Sequence, residues 1–263
     1  MSGGDAVLLV GCGRMGSAMA AGWTGQRRVF VHDPMATQLP DGVERLDTLD
    51  VAALPDNLVV VLAVKPQIFP SIGAALRPLA ERGNLVLSIM AGVTLGGMSD
   101  ALGGHHRIVR TMPNTPAAIG AGITAAVAGE GADAGDRAIV DALLAPTGAL
   151  VWLDAEGDLD AVTAVSGSGP AYFFRFAEAL AKAGEAAGLS GDLAMRLARA
   201  TFTGAAALAG QDDRALATLR EQVTSPGGTT AAGLAQMNAD DAIDRLAGRV
   251  VVAAAARSRE LAG

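Results

Sequence analysis

The sequence predicts an α/β protein in which a doubly wound sheet is followed by an all-helical domain. Short apolar runs alternate with helical stretches through the first part of the chain, a rhythm typical of a mostly parallel sheet. The strand pattern stops after Asp154, and the later periodic segments all have helical spacing. We therefore predict a sheet domain over residues 1–156 and a helical domain over residues 157–263.

Each predicted strand is a short run of apolar or β-branched residues. The run 58–63, Leu-Val-Val-Val-Leu-Ala, is apolar throughout, as expected when helices cover both faces of a parallel sheet. The last two runs are predicted to lie at the edge of the sheet. The predicted strands are 6–10, 29–32, 58–63, 85–89, 108–110, 123–127 and 150–153.

Helical periodicity occurs in several of the intervals between these strands and throughout the second domain. Pro170 suits a first helical position and supports a helix that begins there. The second domain has only about 105 residues, many of them Ala or Gly, so we expect it to complete its core in a homodimer. The predicted helices are 15–23, 68–80, 94–102, 133–144, 158–165, 170–187, 190–209, 214–223, 229–238 and 241–261.

Composition limits the classes of partner. The 263-residue chain has a net charge of −7, and an acidic surface argues against nucleic acid. The single cysteine excludes an internal disulfide and fits a reducing compartment. The longest apolar runs fall well below the roughly 18 residues of a membrane helix, and no leader pattern is present at the start. We expect a cytoplasmic protein with neither nucleic-acid nor membrane partners.

A glycine-rich turn follows the first predicted strand and fits the pattern G-x-G-x-x-G. In this setting the first glycine allows a tight turn, the second lets a pyrophosphate approach the backbone, and the third lets helix meet strand. The turn therefore predicts a dinucleotide site formed by Gly11, Cys12, Gly13, Arg14, Met15 and Gly16.

An acidic residue, Asp33, lies twenty residues after Gly13 at the end of the second predicted strand. A carboxylate there would accept hydrogen bonds from the adenosine ribose and repel a 2′-phosphate, which favours NADH over NADPH. Arg14 and Arg28 are near in sequence and could offset this charge. Asp33 also suits a simple turn before Pro34, so the lean towards NADH is slight.

A second candidate anion site opens the predicted helix 229–238. Residues 224–230, Thr-Ser-Pro-Gly-Gly-Thr-Thr, form a turn that would leave several backbone N–H groups free at the positive end of the helix dipole. Such a turn suits a small anion such as a carboxylate. Together, the two anion sites suggest a redox enzyme for a small acid.

Five ordered segments resemble the pyrroline-5-carboxylate reductase family, the last enzyme of proline biosynthesis. The likeness extends over nearly the whole chain, and the last two segments discriminate best. The segments are 63–66 (Ala-Val-Lys-Pro), 91–94 (Ala-Gly-Val-Thr), 112–116 (Met-Pro-Asn-Thr-Pro), 165–172 (Val-Ser-Gly-Ser-Gly-Pro-Ala-Tyr) and 225–230 (Ser-Pro-Gly-Gly-Thr-Thr).

The resemblance implies a Rossmann domain that binds NADPH or NADH and a helical domain that interleaves with its twin, in dimers often assembled into decamers. It implies hydride transfer to the C=N carbon of 1-pyrroline-5-carboxylate, giving L-proline. Backbone groups at Ser225, Gly228 and Thr229 would hold the substrate carboxylate, and Thr230 would hydrogen-bond the ring nitrogen. The nicotinamide side would be lined by Ala63, Val64, Lys65 and Pro66, with Met112 and Asn114 nearby.

Two other functions compete with this interpretation. A β-hydroxyacid dehydrogenase shares the fold plan and the glycine-rich start but needs a lysine on the helix after its Gly-Ser-Gly motif; residues 170–176 contain none. A non-catalytic dinucleotide-binding protein would have no need for the 224–230 turn. The three histidines are expected to be loop or surface residues, and Lys65 is expected to position the strand end rather than to act as a base.

Overall fold

The chain forms two compact units in the computed structural model, which describes residues 6–262. The first unit extends to Gly167 and also includes the chain from Ala254 onwards, and the second comprises Ser168–Ala253. This division lies further along the chain than the domain boundary predicted after residue 156. The predicted boundary stays a prediction. The difference arises because Leu159 is buried in a cluster with Ala125 and Val127 of the sheet.

An eight-stranded sheet forms the centre of the first unit, in the order β3-β2-β1-β4-β5-β6-β7-β8. Neighbouring strands are parallel except β6 and β7, whose connection is too short for a crossover and which pair antiparallel. The strands are β1 Ala6–Val10, β2 Arg28–His32, β3 Glu44–Arg45, β4 Val59–Leu62, β5 Leu85–Ser88, β6 Ile108–Met112, β7 Gly122–Ala128 and β8 Gly148–Trp152.

Helices cover both faces of this sheet and bury alternate residues of each strand. Leu8 and Val10 of β1 belong to one core with α2 and α3, whereas Val7 and Leu9 belong to a second core with α1 and α4. This two-sided burial explains why the central strands are apolar throughout. The helices of the first unit are α1 Arg14–Trp23, α2 Phe69–Glu81, α3 Leu95–Ala101, α4 Ala134–Leu144 and α5 Asp158–Val162.

The second unit consists of helices with a small interior. They are α6 Gly169–Ala186, α7 Gly191–Gly210, α8 Leu216–Gln222, α9 Thr229–Asn238 and α10 Ala242–Ala262, the last of which continues into the first unit. Its buried residues are all Gly or Ala: Gly169, Ala181, Ala194 and Ala198. Large apolar side chains on α6 are exposed instead, Phe173 by 61% and Phe174 by 55%. This surface fits the expectation that one copy leaves its helical core incomplete.

Several details differ from the sequence expectations. Strand β7 is not an edge strand, because β8 pairs on its outer side. The two-residue strand β3 was not predicted, since Glu44–Arg45 has no apolar alternation. Helix α5 ends at Val162 and continues as a π-helical turn, Thr163–Gly167, instead of remaining α-helical to residue 165. No helix in residues 6–262 is both long and apolar enough to span a membrane.

Candidate active site

The glycine-rich turn lies at the point where the strand order reverses. Strand β1 has β2 on one side and β4 on the other, and Gly11 follows β1 directly while Ala63 follows β4. In open α/β sheets such a reversal opens a crevice at the carboxyl ends of the strands, where ligands bind. The predicted dinucleotide residues that follow β1, β2 and β4 are therefore brought to one edge of the sheet.

Each of the three glycines in the turn is required for a different structural reason. Gly11 has φ +90°, and a Cβ there would lie 2.6 Å from the Ala63 carbonyl oxygen. A Cβ on Gly16 would lie 2.7 Å from the Gly11 carbonyl oxygen, so this glycine permits the close approach of helix to turn. Around Gly13, no described heavy atom beyond its two chain neighbours lies within 4 Å of an added Cβ. The middle glycine thus faces open space, as expected for the position that a phosphate approaches.

Helix α1 begins immediately after the turn and directs its amino terminus to the same edge. Gly13 is its N-cap, and the first intrahelical bond runs from the Ser17 N–H to the Gly13 carbonyl at 2.8 Å. The amides from Gly13 to Gly16 therefore precede the first intrahelical donor, at the positive end of the helix dipole. Arg14 is exposed in this first turn. The geometry suits an anion such as a pyrophosphate.

Asp33 makes two hydrogen bonds that the sequence did not reveal. Its Oδ2 accepts the Cys12 N–H at 2.6 Å, and its Oδ1 accepts the Met35 N–H at 2.8 Å. The preceding residue, His32, accepts the Gly11 N–H on its carbonyl at 2.9 Å. The end of β2 is thereby joined to the first two residues of the turn.

Cys12 has its thiol buried between these elements. Burial raises the pKa of the Cys12 thiol, the charge of Asp33 raises it further, and a hydrogen bond with Ser17 and the charge of Arg45 act in the opposite direction. The thiol is therefore protonated at neutral pH, in agreement with a packing role for this small side chain.

The predicted nicotinamide side starts where β4 ends. The Ala63 N–H bonds the Val10 carbonyl at 2.8 Å, which extends the β1–β4 pairing beyond the strand. Val64 is half-buried against the core that contains α2. Lys65 is exposed at the N-cap of a 3₁₀ turn that begins with Pro66. The positioning role expected of Lys65 stays a prediction.

Met112 is the last residue of strand β6 and Asn114 follows that strand, at the carboxyl edge of the parallel strands. Met112 is half-buried, and a Cβ added to Gly167 of the π-helical turn would lie 2.8 Å from its Cε. Asn114 accepts the Ile123 N–H on Oδ1 at 3.0 Å and so joins this segment to β7. Both residues thus have structural contacts, and their cofactor role stays a prediction.

The second candidate anion site belongs to the second unit. Gly227 has φ +68°, and the Gly228 N–H bonds the Ser225 carbonyl at 3.0 Å to close the turn. Gly228 is the N-cap of α9, whose first intrahelical bond runs from the Ala232 N–H to the Gly228 carbonyl. The amides of Thr229 and Thr230 therefore lie ahead of the intrahelical ladder, and both residues are exposed.

Two polar groups outside these sites, His105 and the Arg110–Glu156 pair, have structural partners. His105 Nε2 lies 2.9 Å from the Asn84 carbonyl, and burial lowers the pKa of this imidazole despite that bond. Glu156 accepts both the Arg110 guanidinium at 2.6 Å and the Leu95 N–H at 2.7 Å on one oxygen, Oε1. In residues 6–262, no group of three or more His, Cys, Asp or Glu is arranged to hold a metal ion.

Comparison with known proteins identifies the family. A family model described as pyrroline-5-carboxylate reductase dimerisation matches residues 156–261, and one described as NADP oxidoreductase, coenzyme F420-dependent, matches residues 6–92. The pyrroline-5-carboxylate reductase of Pseudomonas aeruginosa is 38% identical, over 97% of this chain and 96% of its own length. This chain belongs to the pyrroline-5-carboxylate reductase family. The enzyme of that name from Arabidopsis thaliana is 36% identical, over 97% of this chain and 95% of the relative.

Solved structures of the pyrroline-5-carboxylate reductase family share the whole fold. The enzyme from Coxiella burnetii has a TM-score of 0.90 and 32% identity, with 100% of both chains covered. The Plasmodium falciparum pyrroline carboxylate reductase, solved with NADP bound, has a TM-score of 0.81 and 28% identity, with 98% of this chain and 99% of that chain covered. These matches confirm the predicted fold class and the assignment to NAD(P)-dependent oxidoreductases.

Proposed function

We propose that the chain reduces the C=N bond of 1-pyrroline-5-carboxylate to L-proline with a hydride from NADPH or NADH, as the last step of proline biosynthesis. Membership in the pyrroline-5-carboxylate reductase family carries this proposal. The two anion sites support it, since the reaction needs one group that binds a pyrophosphate and another that binds a carboxylate. A β-hydroxyacid dehydrogenase is disfavoured because α6 has no lysine in its first two turns.

The reaction demands orientation more than acid–base chemistry. When bound, the reduced nicotinamide supplies the hydride, and a protonated imine is already electrophilic at carbon. The protein therefore needs to hold the ring and exclude alternative poses, effects that account for several kcal/mol of a barrier, about 7–11 in favourable cases. This explains why no carboxylate or histidine has to serve as a strong acid.

The substrate would be held by the turn that opens α9. The backbone groups of Ser225, Gly228 and Thr229 would bind the ring carboxylate, because the turn presents amides that the helix does not use. The Thr230 hydroxyl would hydrogen-bond the ring nitrogen, either as a donor to it or as a relay of a proton from water. Thr230 is the residue to which we assign a catalytic role, and this role is a modest one.

The dinucleotide would be held at the reversal of the strand order. The amides that start α1 would bind the pyrophosphate, and the segment after β4 would line the nicotinamide. The proposed cofactor residues are Gly11, Cys12, Gly13, Arg14, Met15, Gly16, Asp33, Ala63, Val64, Lys65, Pro66, Met112 and Asn114.

Asp33 gives a slight preference for NADH. Each carboxylate oxygen accepts one backbone amide and keeps further acceptor capacity for a ribose hydroxyl, while the charge opposes a 2′-phosphate. Arg45 donates to the Ala36 carbonyl in the loop after Asp33 and would reduce this opposition. The usual preference of the family is for NADPH, and the structure of the Plasmodium falciparum relative was solved with NADP bound.

We propose that the helical domain forms a homodimer, which could assemble further into a decamer in the cytoplasm. The match to a dimerisation model and the exposed phenylalanines of α6 support self-association. The small-molecule substrate and a second copy of the chain would be its partners, with no nucleic acid or membrane. Light scattering coupled to size exclusion measures the mass, and a monomer at micromolar concentration would contradict the proposal.

The decisive experiment measures oxidation of NADH and of NADPH side by side with 1-pyrroline-5-carboxylate as acceptor. We expect turnover with both cofactors and a modest preference for NADH. A β-hydroxy acid with oxidised cofactor serves as the control substrate and should give no turnover. Tight cofactor binding without turnover of any cyclic imine would favour a non-catalytic binding protein instead.

A further inference from the structure

We propose that Asp33 is a positioning residue for the phosphate-binding turn, which it holds in its binding conformation through the Cys12 amide. The inference rests on the proposed dinucleotide-dependent function and deepens it. Asp33 would then affect binding of the pyrophosphate, which NADH and NADPH share. This effect is separate from its effect on the preference between NADH and NADPH.

The bonding pattern at the end of β2 carries the inference. Two consecutive amides of the turn, those of Gly11 and Cys12, are accepted by two consecutive residues, His32 through its carbonyl and Asp33 through Oδ2. The carboxylate is itself fixed by the Met35 N–H on its other oxygen. The Asp33–Cys12 bond joins residues 21 positions apart, and unlike the backbone bond from Gly11 to His32 it depends on a side chain.

This pattern decides which amides remain for a phosphate. With the Gly11 and Cys12 N–H groups directed to β2, the amides from Gly13 onwards are those at the start of α1. Gly13 lies in open space, and a glycine in a turn has more backbone freedom to lose than any other residue. A bond that fixes the adjacent peptide reduces the ordering that binding would otherwise require.

The charge on Asp33 strengthens this contact. A hydrogen bond from an amide to an ionised carboxylate is shorter and stronger than one to a neutral acceptor. The negative charge also reaches the Cys12 side chain, where it adds to burial in raising the pKa of the thiol. Asp33 is thus close to both the backbone and the side chain of the residue it positions.

The test must separate the turn from the ribose, since removal of Asp33 changes contacts to both. We would use a reduced dinucleotide whose adenosine ribose lacks the 2′- and 3′-hydroxyls. This analogue keeps the pyrophosphate and the nicotinamide. It has no ribose hydroxyl that could donate a hydrogen bond to Asp33 and no 2′-phosphate that Asp33 could repel. Its dissociation constant is measured by fluorescence titration without the imine substrate, so the result does not depend on turnover.

We expect Asp33→Ala to weaken binding of the analogue about tenfold, equivalent to about 1.4 kcal/mol. The matched control is Asp50→Ala, because Asp50 Oδ1 also accepts an amide two residues ahead, that of Ala52 at 3.1 Å, and has no contact with the turn among the hydrogen bonds of the described chain. The control should bind the analogue as the unmodified protein does.

A split between kinetic constants distinguishes positioning from general damage. With the analogue as the hydride source, Asp33→Ala should raise its KM while kcat and the KM for pyrroline-5-carboxylate stay unchanged. If Asp33→Ala does not fold, Asp33→Asn keeps one oxygen for one of the two amides and should give an intermediate loss of affinity.

Two results would overturn the inference. One is unchanged affinity for the analogue in a folded Asp33 variant while affinity for NADH falls, which would confine Asp33 to the ribose. The other is an equal loss in the Asp50→Ala control. Failure of the proposed reaction has a different signature: no turnover with either cofactor, with the tenfold loss in analogue binding still present, would reject the substrate and retain the role of Asp33.

Discussion

Gly11 and Ala63 approach each other so closely at the ends of β1 and β4 that a Cβ on Gly11 would lie 2.6 Å from the Ala63 carbonyl oxygen. Gly11 also has φ +90°, a conformation that L side chains rarely adopt. Two independent constraints therefore require glycine at the start of the dinucleotide crevice. The contact joins the two strands between which the crevice opens.

Gly11→Ala should destabilise the fold and weaken cofactor binding together. The strained backbone alone costs on the order of 1–3 kcal/mol, and the contact with Ala63 is with backbone that cannot rotate away. We expect a lower free energy of unfolding by urea titration and at least a tenfold weaker affinity for NADH.

Gly13→Ala is the matched substitution in the same turn and should behave differently. Its φ of −68° suits alanine, and no described heavy atom beyond its two chain neighbours lies within 4 Å of the new Cβ. Stability should stay close to that of the unmodified protein while NADH affinity falls, because the methyl group would occupy the approach of the phosphate. A Gly13→Ala protein with unchanged NADH affinity would argue that the pyrophosphate binds elsewhere.

Thr230→Val should reduce turnover about tenfold, the effect of one hydrogen bond to the reacting ring. The affinity for NADH should stay unchanged because the residue belongs to the proposed substrate turn. Thr229→Val is the control, since its proposed contact uses the backbone N–H, which valine retains. Steady-state kinetics on pyrroline-5-carboxylate would test both, and equal turnover in all three proteins would remove Thr230 from the mechanism.

Glu156→Ala should cost about 3 kcal/mol of unfolding free energy, because it leaves the Arg110 guanidinium buried without its charge partner. The Arg110 side chain is only 9% exposed, and the same Glu156 oxygen also bonds the Leu95 N–H at the start of α3. Glu44→Ala removes an equally short ion pair with Arg28 that is exposed on both sides, and its stability should not change measurably. Similar losses in the two variants would contradict the role of burial.

The Cys12 thiol should react slowly with iodoacetamide at pH 7.5 and faster as the pH rises, because burial and the Asp33 charge raise its pKa. A raised folded-state pKa stabilises the protein below the unfolded thiol pKa of about 8.5, and this contribution is lost at higher pH. Asp33→Asn should accelerate the reaction. A rate equal to that of free cysteine at every pH would contradict this environment.

The architecture was largely predictable because the sheet and its helices have strong local signals. The run 58–63 is buried on both faces and is apolar throughout, so its position was evident. Strand β3 was not, since Glu44 and Arg45 contribute only two residues at the edge and carry no hydrophobic pattern. The position of β7 between β6 and β8 depends on long-range pairing, which leaves no trace in local sequence.

The candidate site was predictable in its motifs but not in its bonds. The spacing of the glycines predicted the turn at Gly11, and the small residues before α9 predicted the second turn. The bond from Cys12 to Asp33 could not be inferred, because a carboxylate after a strand suits a ribose, a turn or an amide equally well. The pairing of Glu156 with Arg110 could not be inferred either, because Arg110 lies 46 residues earlier in the chain.

Helix α10 has its last residues within the first unit, where Ser258 bonds Asp160 and the Leu261 carbonyl would lie 3.0 Å from a Cβ on Gly92. During synthesis on the ribosome, residues 6–167 emerge well before these contacts exist. The last turns of α10 therefore cannot pack on the sheet unit until residues 168–253 have been synthesised. A nascent chain stalled before residue 254 should expose the surface at Gly92 to chaperones and proteases, whereas the released chain should not.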